Sequence, residues 1–473
     1  MKTKKHPGKT ASEDGSAKAP RAEFRVRAEC LAAGKALRAS LPRERHAAWK
    51  PPAKRRDPID VLEESNRNRL RELIPIRYGR MLRSPFTFLR GSAGLMAYDL
   101  AATPSTRIQV QVCGDCHLLN FGLFATPERN LVFDINDFDE TLPAPWEWDV
   151  KRLAASFAVA ARDNRFSDND ARGAAVACVR AYRERLRDYS RKSPLQIWYE
   201  RLDMPTLIEM APDAKAKQRR EAMAESARQR IGENLFPKIS AENGGRHRLV
   251  DQPPLLVHIQ AKDKFQEERV REALEAYRQS LSDERRVLFD RYQLQDIALK
   301  VVGIGSVGTR CFVGLFFSAE QHPLLLQFKE ARESVLAPYA GKSHYKNQGQ
   351  RVVVGQRLMQ SSSDIFLGWT RGARGNDFFV RQLRDMKLSV DIAEFSRAHL
   401  KVYAGVCGWA LARAHAKGGD AATISGYLGK SDVFDQAMGT FALAYADQTE
   451  RDHAALKAAV KARRVEALIE DNL

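Results

Sequence analysis

A glycine-rich turn between two apolar runs, followed by a third run ending in lysine, constrains this chain more than any other feature. Ile297-Ala298-Leu299-Lys300-Val301-Val302 leads into Gly303-Ile304-Gly305-Ser306-Val307-Gly308. Cys311-Phe312-Val313-Gly314-Leu315-Phe316-Phe317 leads out, and Leu324-Leu325-Leu326-Gln327-Phe328-Lys329 follows. Runs this rich in β-branched and aromatic residues, bounded by glycine, read as strand, turn, strand, strand. The glycines do not open a helix, which disfavours a dinucleotide-binding Rossmann turn. Residues 345–360 then read as a helix, and Asp364 to Trp369 and Asp377 to Leu383 as two further strands. The plain alternative is an ordinary hairpin with a surface lysine.

The chemistry sits some 180 residues earlier. Ile108-Gln109-Val110-Gln111-Val112 alternates like a strand and delivers Cys113-Gly114-Asp115-Cys116-His117-Leu118-Leu119-Asn120. Phe121 to Phe124 and Leu131 to Phe133 read as two short strands around a turn at 127–130, so that Asp134, Asp137 and Asp139 fall at a strand end. An acid and an amide five residues apart meet on one loop, and a carboxylate one hairpin later can join them around a metal ion. That is the layout of phosphoryl transfer, in which one Asp orients the acceptor hydroxyl while an Asn and a second Asp hold Mg²⁺ on the nucleotide phosphates. Asp115 is then the base, Asn120 and Asp137 the metal ligands, with Asp134 and Asp139 as alternative ligands and His117 as a brace. A bare loop of Asx turns is the competing account. Cys113-x-x-Cys116-His117 also has the literal form of a haem attachment site or of three zinc ligands. Haem attachment requires export, and no apolar signal segment follows Met1-Lys2-Thr3-Lys4-Lys5-His6-Pro7, so the expectation is against it.

These motifs resemble the aminoglycoside and choline kinase branch of the kinase-like phosphotransferases. Asp115, His117 and Asn120 stand at the spacing of that branch's H-G-D-x-H-x-x-N loop, and Asp137-Phe138 matches its metal motif. Pro145-Trp146-Glu147-Trp148-Asp149-Val150-Lys151-Arg152-Leu153-Ala154 is similar to the run that follows the metal Asp there, whose last Asp caps a helix and braces the catalytic loop. Most of the chain also resembles bacterial domain-of-unknown-function family 2252, for which no activity is known. The kinase resemblance implies an α+β, two-lobed fold that binds ATP and Mg²⁺, with Gly303, Gly305 and Gly308 covering the phosphates and Lys329 contacting them. Arg384-Asp385-Met386-Lys387 becomes the hinge between lobes. The order of parts departs from the pattern, because the catalytic loop precedes the glycine-rich loop, and the expected fold is a circular permutation. Permutation is tolerated when chain ends lie close together. A second departure is that the helix from Tyr345 to Gln360 holds no Glu to pair with Lys329; Glu330 and Glu333 are the nearby substitutes.

The rest of the chain reads as helices around these parts. Pro58 to Arg83 carries a helical stripe broken at Pro75, and a second apolar helix ends near Leu100. Asp149 can cap a helix with Val150, Leu153, Ala154, Phe157 and Ala161 inward. Helices follow near 170–190, 205–233 and 264–291, with 236–258 as a connection. Residues 391–417 form an amphipathic helix burying Leu400, Tyr403, Cys407, Ala410, Leu411 and Ala414; His415 ends it as a hydrogen-bonded core histidine. The expected divisions are a basic, largely disordered tail over 1–57, a helical lobe over 58–294, a β-rich small lobe over 295–387, and completing helices over 388–473.

Composition narrows the function classes. The chain has 473 residues, 44% apolar and 29% charged, with no apolar run approaching the ~18 residues of a membrane span. Six scattered cysteines suggest a reducing, cytoplasmic setting. The net charge is +18, but residues 1–56 hold 16 Lys or Arg against 5 Asp or Glu, a net +11. A nucleic-acid partner therefore has only this tail, of which 1–22 reads as disordered. The leading expectation is an ATP- and Mg²⁺-dependent phosphotransferase acting on an unidentified small-molecule or protein acceptor, with nucleotidyl transfer also open. The rival is a non-catalytic nucleotide-binding or nucleic-acid-binding protein.

Overall fold

The computed structural model describes residues 25–470, apart from 212, 244–245, 259–263, 384–385 and 389. Its centre is the helix Trp146–Asp163, in which every residue from Trp146 to Ala161 is buried. A helix buried on all sides must be packed all round, and Asp168–Tyr189, Arg397–Gly418 and Val433–Lys461 surround it. Small residues let these helices approach closely: a Cβ on Gly408 would lie 2.1 Å from the Cys178 carbonyl oxygen. Leu400, Tyr403, Cys407, Ala410, Leu411 and Ala414 are buried as the stripe requires, and His415 is a core histidine bonded to Tyr182 and Asp149.

The basic tail expected over 1–57 is ordered from Arg27 onward. The helix Arg27–Ser40 packs backbone to backbone on Ala421–Leu428, through Gly34 against Thr423 and Gly426 against Leu31. Its positive charge is used locally. Arg38 and Arg43 donate to the carbonyls of Gly426, Tyr427 and Leu428, the open acceptors at a helix C-terminus. Arg55 is buried between Asp99 and Asp452, 2.7 Å from each. The disorder expected for 1–22 lies outside the described residues.

The β-rich part is a six-stranded antiparallel sheet in the order Gly368–Arg371, Asp377–Gln382, Pro323–Ala331, Cys311–Ser318, Tyr292–Lys300, Leu256–Val257. Both faces are covered, which is why its strands lack polar alternation. Val313, Leu315, Phe317 and Leu325 pack under the helix Gly232–Ile239 and the hairpin of Ser240–Asn243 with Arg246–Leu249. Phe316, Leu326 and Phe328 pack under Lys264–Gln279 and Asp283–Phe289. The division at 294/295 is therefore corrected: residues from Gly232 onward build the sheet's cover, because its apolar faces need them.

Smaller corrections have local causes. Pro75 does not break a helix but sits in the first turn of Ile74–Leu82, where its missing N–H costs nothing. The single helix expected over 205–233 is divided among Met204–Glu209, Ala214–Arg228 and the start of Gly232–Ile239, with Asp203 and Asp213 as new N-caps. The connection expected over 236–258 contains a hairpin. Among the described residues no helix is long and apolar enough to cross a membrane.

Candidate functional site

Two short sheets position the acidic loops. Gln109–Val112 pairs with Leu142–Pro145, and Phe121–Ala125 pairs with Leu131–Ile135. Loop 113–120 runs from the first sheet to the second, and its conformation is set from below. Asp149 accepts from the Cys113 and Gly114 amides at 2.8 and 3.0 Å and meets His415 Nε2 at 3.2 Å. It lies in the first turn of its helix, whose N-cap is Pro145, so it braces the loop without capping the helix. Gly114 takes φ 86, open to glycine without strain.

The brace throws Asp115 into a cleft. Arg152, one helical turn beyond Asp149, grips its Oδ1 through Nε at 2.6 Å and through Nη2. Asn120 Nδ2 donates to the Asp115 carbonyl at 2.6 Å. Burial pushes the Asp115 carboxyl up, Arg152 opposes this, and Asp137 and Glu140 add to it. His117 Nε2 stands 3.9 Å from Asp115 Oδ2, and burial, with Arg90 and Arg152 nearby, holds the imidazole well below its usual pKa. The sulfurs of Cys113 and Cys116 group with Asp149, away from the His117 side chain. Burial raises both thiols, Cys116 to about 12, and the Asp149 oxygens already accept from the Cys113 and Gly114 amides.

The three carboxylates of the second loop separate. Asp134 is corrected from a candidate ligand to a structural group: it is fully buried, with Arg413 Nη2 2.8 Å from both oxygens and Ser361 donating through N and Oγ. It lies within the strand, while Asp137 and Asp139 lie beyond its end and reach the cleft. Lys329 Nζ is 2.5 Å from Asp139 and 3.5 Å from Asp137. Burial opposes ionisation of Asp137, yet Lys329, Arg381 and Lys387 carry it below the usual carboxylate range. Burial and the Asp137 charge raise Asp139 to about 6. The two acids titrate as a pair.

The glycine-rich loop closes over this pair. Gly303 and Gly308 have φ 64 and 85. An ideal Cβ on Gly305 would lie 3.3 Å from the Arg90 carbonyl oxygen and 4.0 Å from Asp115 Oδ2. Arg80 and Arg69 hold the carbonyls of Gly303 and Val307, each at 2.5 Å, and Ser306 Oγ reaches Asp139 at 3.3 Å. Asp115, His117, Asn120, Asp137, Asp139, Gly303 and Gly305 line one cleft of about 170 Å³, and Lys329 bonds to its acids.

The question of a Glu partner for Lys329 resolves differently from either substitute. Glu330 is taken by Arg310 and Asn376, and Glu333 is exposed. The helix Gln348–Met359 contributes Arg351, which holds the carbonyls of Asp139, Thr141 and Arg332 at 2.8, 2.6 and 2.7 Å. Sequence reading missed Arg152 and Arg351. Arg152 was visible in principle, being three residues from Asp149 and so on the same helix face. Of the segment expected as a hinge, Met386 donates its amide to the Arg230 carbonyl at 2.9 Å, Leu388 just beyond it exchanges backbone bonds with Leu123, and Arg384 and Asp385 lie outside the described residues.

A family model described as "Uncharacterized protein conserved in bacteria (DUF2252)" matches residues 69–459. The chain belongs to this family. The DUF2252 match spans both acidic loops, the glycine-rich loop and Lys329. No curated protein and no solved structure matches the chain.

Proposed function

We propose that this DUF2252 protein is an ATP- and Mg²⁺-dependent phosphotransferase whose fold is a circularly permuted, kinase-like pair of lobes. The observation that carries this reading is the ion pairing of Lys329 with Asp139 and Asp137 beneath a glycine-rich loop that also covers Asp115. These are the parts phosphoryl transfer needs: phosphate cover, phosphate lysine, metal acids and an acceptor-orienting acid.

The residues suit a Mg²⁺ ion. Asp139 Oδ1 is buried without a hydrogen-bond partner. The Asp137 side chain is 33% exposed toward the cleft. Asn120 spends its Nδ2 on Asp115 and leaves its oxygen free to ligate. Hard oxygen donors of this kind are what Mg²⁺ takes. Bound there, the ion would neutralise charge on the transferring phosphoryl group. Lys329 would exchange its carboxylates for phosphate oxygens, and the loop amides would exclude water. Asp115 would take the acceptor's proton on Oδ2 while the acceptor oxygen bonds to the γ-phosphorus. The bond from that phosphorus to the bridging oxygen breaks, and ADP leaves with the electron pair. The upward push on Asp115 suits it to proton acceptance.

Thermal unfolding with ATP, with and without Mg²⁺, tests the reading. A ligand at a hundred times its Kd adds about 2.7 kcal/mol. Mg-ATP should raise the melting temperature, and no shift at millimolar Mg-ATP would overturn the proposal. A nucleotide-binding protein without transfer is the second reading, favoured by the grip of Arg152 on Asp115; it expects the same shift and no transfer to any acceptor. Binding of nucleic acid through the tail loses support, because Arg38, Arg43 and Arg55 are engaged within the fold.

A further inference from the structure

The cleft carries more positive charge than the proposed chemistry uses. Arg69, Arg77, Arg90 and Arg332 line it together with Asp115. Of its acids, Asp115 is engaged by Arg152, Asp137 and Asp139 by Lys329, Glu330 by Arg310 and Glu140 by the Val335 amide, while Glu333 lines the cleft and is exposed. Among the described residues none of these arginines forms an ion pair; Asp115 acts on Arg90, and Asp139 and Glu140 on Arg69, only through space, and the hydrogen bonds go to neutral groups. Arg77 is 2% exposed and donates to Asn66 Oδ1 and the Gly91 carbonyl, with Nε buried and unpartnered. Arg69 donates to the carbonyls of Ser65 and Val307. Arg332 reaches only the Ser65 carbonyl, at 3.5 Å. Arg90 Nε is buried with no hydrogen-bond partner.

Taking a guanidinium out of water without an anion costs several kcal/mol. Arg77 is buried and Arg69, Arg90 and Arg332 are half-buried beside it, and the Nε atoms of Arg77 and Arg90 lack a partner among the described residues, so this wall is suited to an anionic ligand. Lys329, the glycine-rich loop and the acids at 137 and 139 already supply a triphosphate site. Arg90 belongs to the other side of the reaction. A Cβ built on Gly305 would lie 3.3 Å from the Arg90 carbonyl oxygen and 4.0 Å from Asp115 Oδ2, the oxygen that Arg152 leaves free, and the Asp115 charge acts on the Arg90 guanidinium. An anion held by Arg90 would therefore sit beside the group that receives the acceptor hydroxyl.

We infer that the acceptor is a small anionic alcohol, whose phosphate or carboxylate is bound by Arg90 in the field of Arg69, Arg77 and Arg332 while its hydroxyl faces Asp115. This rests on the phosphotransferase reading and gives it a substrate class.

Thermal shift of the full chain with inorganic phosphate, glycerol 3-phosphate and glycerate separates phosphate from carboxylate, with sodium chloride and choline chloride at matched ionic strength as controls. At least one anion should stabilise the protein beyond the salts. Arg90→Met should raise that anion's half-saturating concentration about tenfold or more, the loss of one charge-assisted bond, and leave the Mg-ATP shift in place. Arg332→Met is measured in parallel, with a smaller rise expected, so that a misfolded Arg90 variant does not end the test. Equal shifts from anions and salts, or unchanged anion binding in both variants, would overturn the inference. Parallel loss of the anion and Mg-ATP shifts in Arg90→Met would assign the arginine to the nucleotide and overturn the acceptor site. Anion binding that depends on Arg90 in a chain that Mg-ATP never stabilises would sink the transferase reading, and the acceptor assignment with it.

Discussion

Replacing Asp137 by Ala should abolish the Mg-ATP thermal shift while leaving the ligand-free melting temperature within a few degrees, because that side chain reaches the cleft and Asp139 remains to pair with Lys329. Lys329→Met should weaken the same shift. The two changes should be strongly non-additive, since both act on one ligand; additive losses would separate the two residues functionally. Asp134→Ala should do the reverse. It strands Arg413, whose side chain is fully buried, and should cost about 3–5 kcal/mol of stability, read by denaturant unfolding. Lys151 offers a test by pH. Burial lowers it to about 7, Glu147 only partly opposing, so between pH 7 and 10.5 the unfolded chain binds a proton that the folded chain does not. Stability should therefore rise with pH through that window, by up to about 1.4 kcal/mol per pH unit. Lys151→Met should flatten the slope, and an unchanged slope would contradict the assignment.

At the scale of elements, the helix Gln348–Met359 does its work through one cation. Arg351 ties the carbonyls of Asp139 and Thr141 to that of Arg332, joining the metal loop to the end of the lysine strand. Arg351→Met should cost about 2–4 kcal/mol, from buried carbonyls losing charge-assisted donors. It should also weaken Mg-ATP binding although the side chain never meets the ligand. Stability lost with full retention of nucleotide affinity would show that the loop holds its shape unaided. Apolar composition bounded by glycine revealed the strands of 297–330, and periodicity the helix expected over 391–417, which runs Arg397–Gly418, because it buries a repeating face. It failed at 205–233, where charged surface carries no period and the caps Asp203 and Asp213 decide the boundaries.

For the whole molecule, closure depends on contacts between distant parts of the chain. Arg55 joins Asp99 to Asp452, and Tyr445 donates to Asp99 at 2.9 Å. Arg55→Met leaves two buried carboxylates facing each other and should cost about 3–5 kcal/mol. A chain beginning at residue 58 should unfold cooperatively at a much lower temperature, and an unshifted transition would return 25–57 to the status of a tail.

Spacing alone brought Asp115, Asn120 and Asp137 forward as one chemical group, because loop residues at short separation are constrained by the backbone between them. Apolar runs bounded by glycine did the same for Lys329 and its glycine turn. What spacing could not settle was which of three neighbouring acids faces the cleft. Asp134 turned to Arg413 and Asp139 to Lys329, and both choices depend on cations that enter from remote parts of the chain. The basic amino terminus shows the same limit. Composition counts charges, and only packing shows that Arg38, Arg43 and Arg55 have internal partners. The arginines around Asp115 that form no ion pair among the described residues are likewise legible only in three dimensions, since pairing is a property of a charge's surroundings and not of its place in the sequence.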